Sequence, residues 1–212
     1  MLTDIHGKSG NFKKIAAALE KADYVLLAGD ITDFGNQTDA ERIIMEIEKY
    51  NRNIIAVPGN CDYPDVDDFL LSRGYSAERK IVKTAPEIFT VMGLGGSLPA
   101  PSETPYTFSE INYTSFLERA DTADIVLSHQ PPYNTHADRV MGIRHVGCRS
   151  LKKYIDKYNP LLCLCGHIHE SSGKSVSSGT LIVNPGPFFK GYYSEITIDT
   201  QRTVHAEIHK IT

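Results

Sequence analysis

The chain lacks most of the features that assign a protein to a class at a glance. It has only four cysteines in 212 residues, and in an otherwise ordinary composition these do not make a disulfide framework. Two of them, Cys163 and Cys165, alternate within the apolar run Leu161–Cys165, so both would face one side of a strand as small buried side chains. No secretory leader and no apolar run long enough to span a bilayer appear, and a soluble, cytosolic protein is the expectation. The net charge is only −4, so there is no global basic footprint for nucleic acid, and no separate DNA-binding extension is evident. Repeats, low-complexity tracts and linkers are also missing, which leaves one domain over residues 1–212. A domain of this length buries roughly 70% of the surface its unfolded chain exposes, enough for a core without disulfides.

What is present is an alternation of strand and helix patterns. Tyr24–Ala28, Ile54–Val57, Asp124–Ser128 and Leu161–Cys165 are apolar strands. Helices are expected over Lys13–Lys21, from a cap at Thr38 or Asp39 to Tyr50, and over Asp65–Arg73, Ser109–Arg119 and Cys148–Tyr158. Lys80–Lys83 and Ile88–Met92 read as strands, and beyond residue 169 the pattern turns to β at Gly179–Val183, Tyr192–Ile198 and Thr203–Ile211. Apolar strands with helices between them predict a parallel sheet covered on both faces, and the C-terminal meander adds a second, more antiparallel sheet. The expectation is an α/β, four-layer αββα sandwich of two mixed β-sheets flanked by helices. One irregularity concerns the strand before Asp4, only Met1-Leu2-Thr3. Either the start lies upstream or this central strand is short, which would loosen Asp4 and His6.

Five segments end in metal-binding side chains, each directly after an apolar run: Asp4-Ile5-His6-Gly7, Gly29-Asp30, Gly59-Asn60-Cys61-Asp62, Ser128-His129 and Gly166-His167-Ile168-His169. They supply Asp4, His6, Asp30, Asn60, His129, His167 and His169. Seven N/O ligands exceed the needs of one transition metal and suit two that share a carboxylate. Such pairs clamp phosphate oxygens and generate a hydroxide nucleophile. Carboxylate, imidazole and carboxamide suit Mn²⁺, Fe²⁺, Zn²⁺ or Ni²⁺ better than Ca²⁺ or Mg²⁺. Asp4 and His6 are expected to alternate on an extended segment, as are His167 and His169, so that each pair points one way.

In order, Asp-x-His-Gly, Gly-Asp-x-x-Asp, Gly-Asn-x-Asp, a lone His and Gly-His-x-His resemble the calcineurin-like metallophosphoesterases, over most of the chain from Asp4 to His169. His145-Val146-Gly147 and Val183-Asn184-Pro185-Gly186-Pro187 resemble a small prokaryotic, Icc-related branch. The resemblance implies the αββα fold and two divalent transition-metal ions. Asp4, His6 and His169 would hold the first, Asn60, His129 and His167 the second, with Asp30 bridging. It also implies a small anionic phosphate-ester substrate. Cys61 stands where many members of the family have a His that helps the leaving group. A thiol is a poorer acid and cannot hold positive charge against phosphate, so diesters or activated esters become the expected substrates. Asp62 would orient a neighbouring group.

Arg139, Arg144, Arg149, Lys152 and Lys153 form a basic stretch between two ligand segments. It reads either as a solvated face or as an attractor for an anionic substrate. His145 is expected just before a helix whose free N–H groups favour anions, as a phosphate contact or a loop histidine. His136 is unassigned. His205 and His209 read as sheet residues, and Asn184–Pro187 as a tight turn near the site. A non-catalytic metal-binding interaction module on the same fold, like the small subunit of retromer, is the alternative function. Oligomeric state is not legible.

Overall fold

The computed structural model describes residues 1–86 and 88–212. Among these residues the helices are α1 (Ala16–Lys21), α2 (Gln37–Glu48), α3 (Asp65–Ser72), α4 (Glu110–Leu117) and α5 (Arg149–Tyr158). The strands are β1 (Val25–Ala28), β2 (Ile54–Val57), β3 (Ile81–Lys83), β4 (Thr90–Leu94), β5 (Ile125–Ser128), β6 (Arg139–Val140) and β7 (Arg144–His145). They continue with β8 (Leu162–Leu164), β9 (Gly173–Ser177), β10 (Thr180–Asn184), β11 (Tyr192–Ile198) and β12 (Val204–Lys210).

A six-stranded sheet runs in the order β3-β4-β5-β8-β10-β9. Its inner strands β4, β5, β8 and β10 are parallel, and both edges are antiparallel. A second layer is built on parallel β1 and β2. Leu2 bridges Leu27 on the free side of β1, and Ser194 N donates to Met1 O, which joins the antiparallel β11–β12 hairpin to that side.

Three apolar cores separate the layers, and the period of two along each strand decides which core a side chain enters. On β1 and β2, Val25, Leu27, Ile54 and Ala56 pack with α1, α2 and α3 through Leu19, Ile44, Ile47 and Leu70. Their neighbours Ala28, Ile55 and Val57 turn to the opposite face, against Val91, Ile125, Leu127, Leu164 and Val183 of the larger sheet. That sheet's other face, with Met92, Val126, Cys163 and Ile182, packs on Tyr113 and Leu117 of α4 and on Leu151 and Ile155 of α5. The result is the expected order of helix, sheet, sheet, helix. Cys163 and Cys165 do share a face, the helix-side one.

Helix ends follow local chemistry. Asn36 caps α2: its side chain accepts from Thr38 N, and Asp39 closes a capping box, two or three residues ahead of the expected cap at Thr38 or Asp39. The first helical segment begins as a 3-10 turn, Phe12–Ile15. Asn159, left-handed at φ 48°, ends α5 before Pro160. No helix among the described residues is long and apolar enough to cross a membrane.

Met1–Thr3 does not leave Asp4 loose. Leu2 N donates to Leu26 O, Ala28 N to Leu2 O and Asp4 N to Gly29 O. Thr3 Oγ1 donates to Ala28 O at 2.9 Å. Burial between two neighbouring segments compensates for the shortness of the strand.

Candidate metal centre

Four of the five ligand segments leave the carboxyl ends of strands, and the Asp4–His6 segment follows Leu2, which bridges β1. Asp30 follows β1, Asn60 follows β2, His129 follows β5 and His167 follows β8, the edge at which open α/β sheets place their sites. The side chains do not converge by strand alternation, as the sequence leads one to expect. Asp4, His6, Asp30 and His167 all have left-handed backbones, at φ 52°, 47°, 48° and 67°. Such conformations are costly for residues with a Cβ and concentrate at functional sites. Each turns the chain sharply as it leaves the sheet and aims a side chain inward.

Glycines let these loops touch. A Cβ on Gly59 would lie 2.1 Å from Asp30 N and Oδ1, and one on Gly166 would lie 1.8 Å from Thr3 Oγ1. Gly59 and Gly166 are therefore sites of close approach between segments, whereas a Cβ on Gly7 would meet nothing within 4 Å.

The seven expected side chains come together. Ligand atoms of Asp4, His6 and His169 lie within 4.8 Å of one another, as do those of Asp4, Asp30 and His129, and those of His6, Asp30 and Cys61. His169 Nε2 is 3.1 Å from Asp4 Oδ1, and His167 N donates to Asp4 Oδ2 at 3.2 Å. His129 Nε2 is 2.9 Å from Asn60 Oδ1 and 3.5 Å from Asp30 Oδ1. The rings of His129 and His167 are 5.0 Å apart. Asp30 sits in the middle, sharing one group with His6 and another with His129.

The electrostatics follow from burial and charge. Burial alone would raise Asp4, but the hydrogen bond from His169 and the nearby imidazoles bring it down to about 2. His167 falls to about 3, first because it is buried and then because His129 is close, so its ring stays neutral and able to ligate. Burial alone would lower His129, yet the carboxylates of Asp30 and Asp4 raise it. The Cys61 thiol is pushed far up by burial and then by Asp30.

Residues not singled out in the sequence orient the ligands. Asp33 Oδ1 is 3.5 Å from His6 Nδ1, and Ala28 O is 2.8 Å from His129 Nδ1. In both imidazoles the Nδ1 side faces an acceptor, which leaves Nε2 toward the cluster. Phe189 packs its ring 5.3 Å from His6 and 5.4 Å from His169. The Gly-Asp-x-x-Asp spacing could have flagged Asp33, but no sequence signal marks a backbone carbonyl or Phe189. Asn184–Pro187 forms the expected turn: Gly186 N donates to Asn184 Oδ1 at 2.9 Å, and Asn184 Nδ2 donates to Ile168 O at 3.0 Å.

Asp62 orients a neighbouring segment, as expected, whereas His145 and the basic stretch do not lie as expected. Asp62 is fully buried and accepts from Ile31 N, Thr32 N, Thr32 Oγ1 and Gly59 N at 2.7–3.1 Å. It ties the Asp30 and Asn60 loops together and has no accepting position left for a substrate. Burial and then Asp30 raise its pKa to about 6. His145 lies on β7, paired with Arg139, rather than at the start of a helix. The N–H groups at the start of α5 are already taken, since Arg149 N and Ser150 N donate to the Glu110 carboxylate and Leu151 N to Cys148 Sγ. Nor do the five basic residues form one patch. Arg149 lies 3.7 Å over the Tyr133 ring, Lys152 pairs with Asp156 at 2.5 Å, and Arg139, Arg144 and Lys153 are exposed. His136 Nε2 meets Ser172 O. His209 stacks on Tyr193 and lies near Glu195 in the β11–β12 hairpin.

Comparison with known proteins agrees with this arrangement. The calcineurin-like phosphoesterase family matches residues 1–171. The uncharacterized protein MJ1162 of Methanocaldococcus jannaschii is 36% identical over 203 residues, covering 91% of this chain and 88% of that protein. TT1561 of Thermus thermophilus superposes with a TM-score of 0.70 at 19% identity, over 97% of this chain and 96% of that one. A structure described as a novel archaeal phosphodiesterase superposes with a TM-score of 0.54 at 16% identity, over 98% and 97% of the two chains. The last two likenesses are of fold. With five ordered ligand segments at strand ends and a family match spanning most of its length, the chain belongs to the calcineurin-like phosphoesterases.

Proposed function

We propose that this protein hydrolyses phosphodiesters with two divalent transition-metal ions. The observation that carries the reading is the place of Asp30, whose carboxylate lies in one ligand group with His6 and in another with Asp4 and His129. The donor set fits such ions. His6 Nε2 is buried without a hydrogen-bond partner among the described residues, a costly arrangement unless a cation occupies that side. This supports metal binding, which the catalytic reading shares with the non-catalytic alternative, and turnover of a phosphodiester is what separates the two.

Asp4, His6 and His169 would hold one ion and Asn60, His129 and His167 the other, with Asp30 between them. Mn²⁺, Fe²⁺, Zn²⁺ and Ni²⁺ all suit these donors. When bound, such a pair lowers the pKa of water and offsets charge on phosphate oxygens. The chain's own residues set the geometry. Asp33 and the Ala28 carbonyl orient imidazoles, and Asp62 fixes the distance between the Asp30 and Asn60 loops. Phe189 covers one side of His6 and His169.

The preference for diesters rests on Cys61. Its thiol is 7% exposed and held protonated by burial and by Asp30. It contributes neither a positive charge to a dianionic monoester nor an easily released proton. The archaeal neighbour described as a phosphodiesterase is compatible with that preference. The four free, buried cysteines fit a reducing compartment such as the cytoplasm.

Hydrolysis of bis(p-nitrophenyl) phosphate and of glycerol phosphate at equal Mn²⁺ tests the reading. We expect kcat/KM to be higher for the diester, and Cys61→His to raise the monoester rate. A wild-type preference for glycerol phosphate would overturn it.

A further inference from the structure

One acid–base pair, carried by a hairpin tied to two of the ligand loops, has no role in the chemistry above. Asp138 is fully buried. Its Oδ2 accepts from Asn134 N and Gly147 N, each at 3.0 Å. Its Oδ1 accepts from Thr135 N at 3.0 Å and lies 2.6 Å from His145 Nδ1. Three backbone donors fix the carboxylate, and the carboxylate in turn fixes the imidazole, because an ionised Asp can only accept. The proton on Nδ1 therefore points at Asp138. His145 Nε2 has no hydrogen-bond partner among the described residues, and the side chain is 23% exposed. A buried carboxylate holding one face of a histidine while the other face reaches solvent is the arrangement of a positioned proton donor.

The hairpin that carries His145 is tied to two of the ligand loops. Gln130, next to His129, donates through Nε2 to Val146 O at 3.0 Å. On the other side Ser171 Oγ donates to Arg139 O, and Met141 N donates to the carboxylate of Glu170, which follows His169. The β6–β7 hairpin thus bridges the loops that present His129 and His169, and on it His145 pairs with Arg139. The Tyr133 ring lies 5.8 Å from the imidazole.

We propose that His145, positioned by Asp138, is the general acid that protonates the leaving oxygen, the role Cys61 is unsuited to fill. The inference rests on the phosphodiesterase reading. In the step, oxygen from a water that has already lost one proton to solvent forms the new bond to phosphorus. The bond from phosphorus to the leaving oxygen breaks, and its electron pair stays on that oxygen. The proton on His145 Nε2 passes to the same oxygen, giving an alcohol, and the neutral imidazole is reprotonated from bulk water.

General acid assistance contributes ~10²–10⁴-fold, and it matters most for poor leaving groups. The test compares methyl p-nitrophenyl phosphate with methyl phenyl phosphate in wild type and His145→Gln, a variant with no proton to transfer. We expect kcat to fall about 100-fold or more for the phenyl ester and less than about 10-fold for the nitrophenyl ester. Metal content should be unchanged, and His145→Asn should repeat the pattern. Imidazole ¹⁵N NMR of metal-free protein should show the Nδ1–H tautomer for neutral His145, lost in Asp138→Asn. Equal losses on both esters, loss of metal, or a dominant Nε2–H tautomer would overturn the assignment. A wild type that hydrolyses neither ester with Mn²⁺ would instead remove the phosphodiesterase reading, and this step with it.

Discussion

Gly59→Ala should open the metal centre by a calculable amount. A Cβ at position 59 would lie 2.1 Å from Asp30 N and Oδ1, whereas real Cβ atoms essentially never approach within 3.0 Å. The Gly59–Asp62 loop and the Asp30 turn must therefore part by at least about 0.9 Å, because the clash is partly with backbone and cannot be relieved by a rotamer change. The same two segments are joined by Cys61 N to Asp30 Oδ1 at 2.8 Å and by Asp62 to Ile31 and Thr32, so the parting strains all of these bonds. Overpacking of this kind costs about 1–3 kcal/mol. For a chain of this size that lowers Tm by about 2–12 °C. Metal sites tolerate displacements of only ~0.2 Å, so Mn²⁺ affinity should fall by about 10–100-fold or more. Calorimetric Mn²⁺ titration and thermal melts in EDTA measure the two effects. Gly10→Ala is the control, since a Cβ there meets nothing within 4 Å. Wild-type Mn²⁺ affinity in Gly59→Ala, with a melt no lower than that of Gly10→Ala, would refute the close-approach argument.

Asp30→Asn can keep the hydrogen bond from Cys61 N but loses the charge shared between the two ligand groups. It should fold, bind less metal by elemental analysis and lose turnover, and a variant with two metals and near-normal activity would contradict the bridging role. Glu78 offers a pH test away from the metals. Its carboxylate is raised from 4.5 to about 7 because burial outweighs the help of Arg79 and of Gly95 N–H. A folded pKa above the unfolded one gives stability that is full below about 4.5 and is lost as pH rises through about 7. Glu78→Gln removes that loss, so its stability relative to wild type in urea melts should rise by about 2–3 kcal/mol between pH 5 and pH 8; a flat difference would show that burial of this carboxylate has no such effect.

The apolar runs before Gly29-Asp30, Gly59-Asn60 and Ser128-His129 are strands because period-two burial between two sheets or a sheet and helices admits only apolar side chains. That pattern is local, so the sequence by itself determined the layered α/β fold and which candidate side chains lie just beyond the strand ends. It also determined the capped α2 helix to within three residues and the face shared by Cys163 and Cys165. Edge strand β9, Gly-Lys-Ser-Val-Ser, escaped because it alternates polar residues and is held by pairing with β10 rather than by core burial. Tertiary structure alone decided how the ligands are aimed. The left-handed turns at Asp4, His6, Asp30 and His167 replace the extended alternation that spacing implies. The partners that set orientation are distant in the chain: Ala28 O lies 101 residues from His129. Glu110, whose carboxylate fills the α5 N-terminus that sequence reasoning left for substrate, lies 40 residues from Ser150. Asp138 and His145 are only seven residues apart, yet their pairing depends on a hairpin fastened to two ligand loops. Hydrogen bonds of this kind join a side chain to a backbone group or a remote residue, and they leave no periodicity in the sequence because only the folded chain brings their ends together.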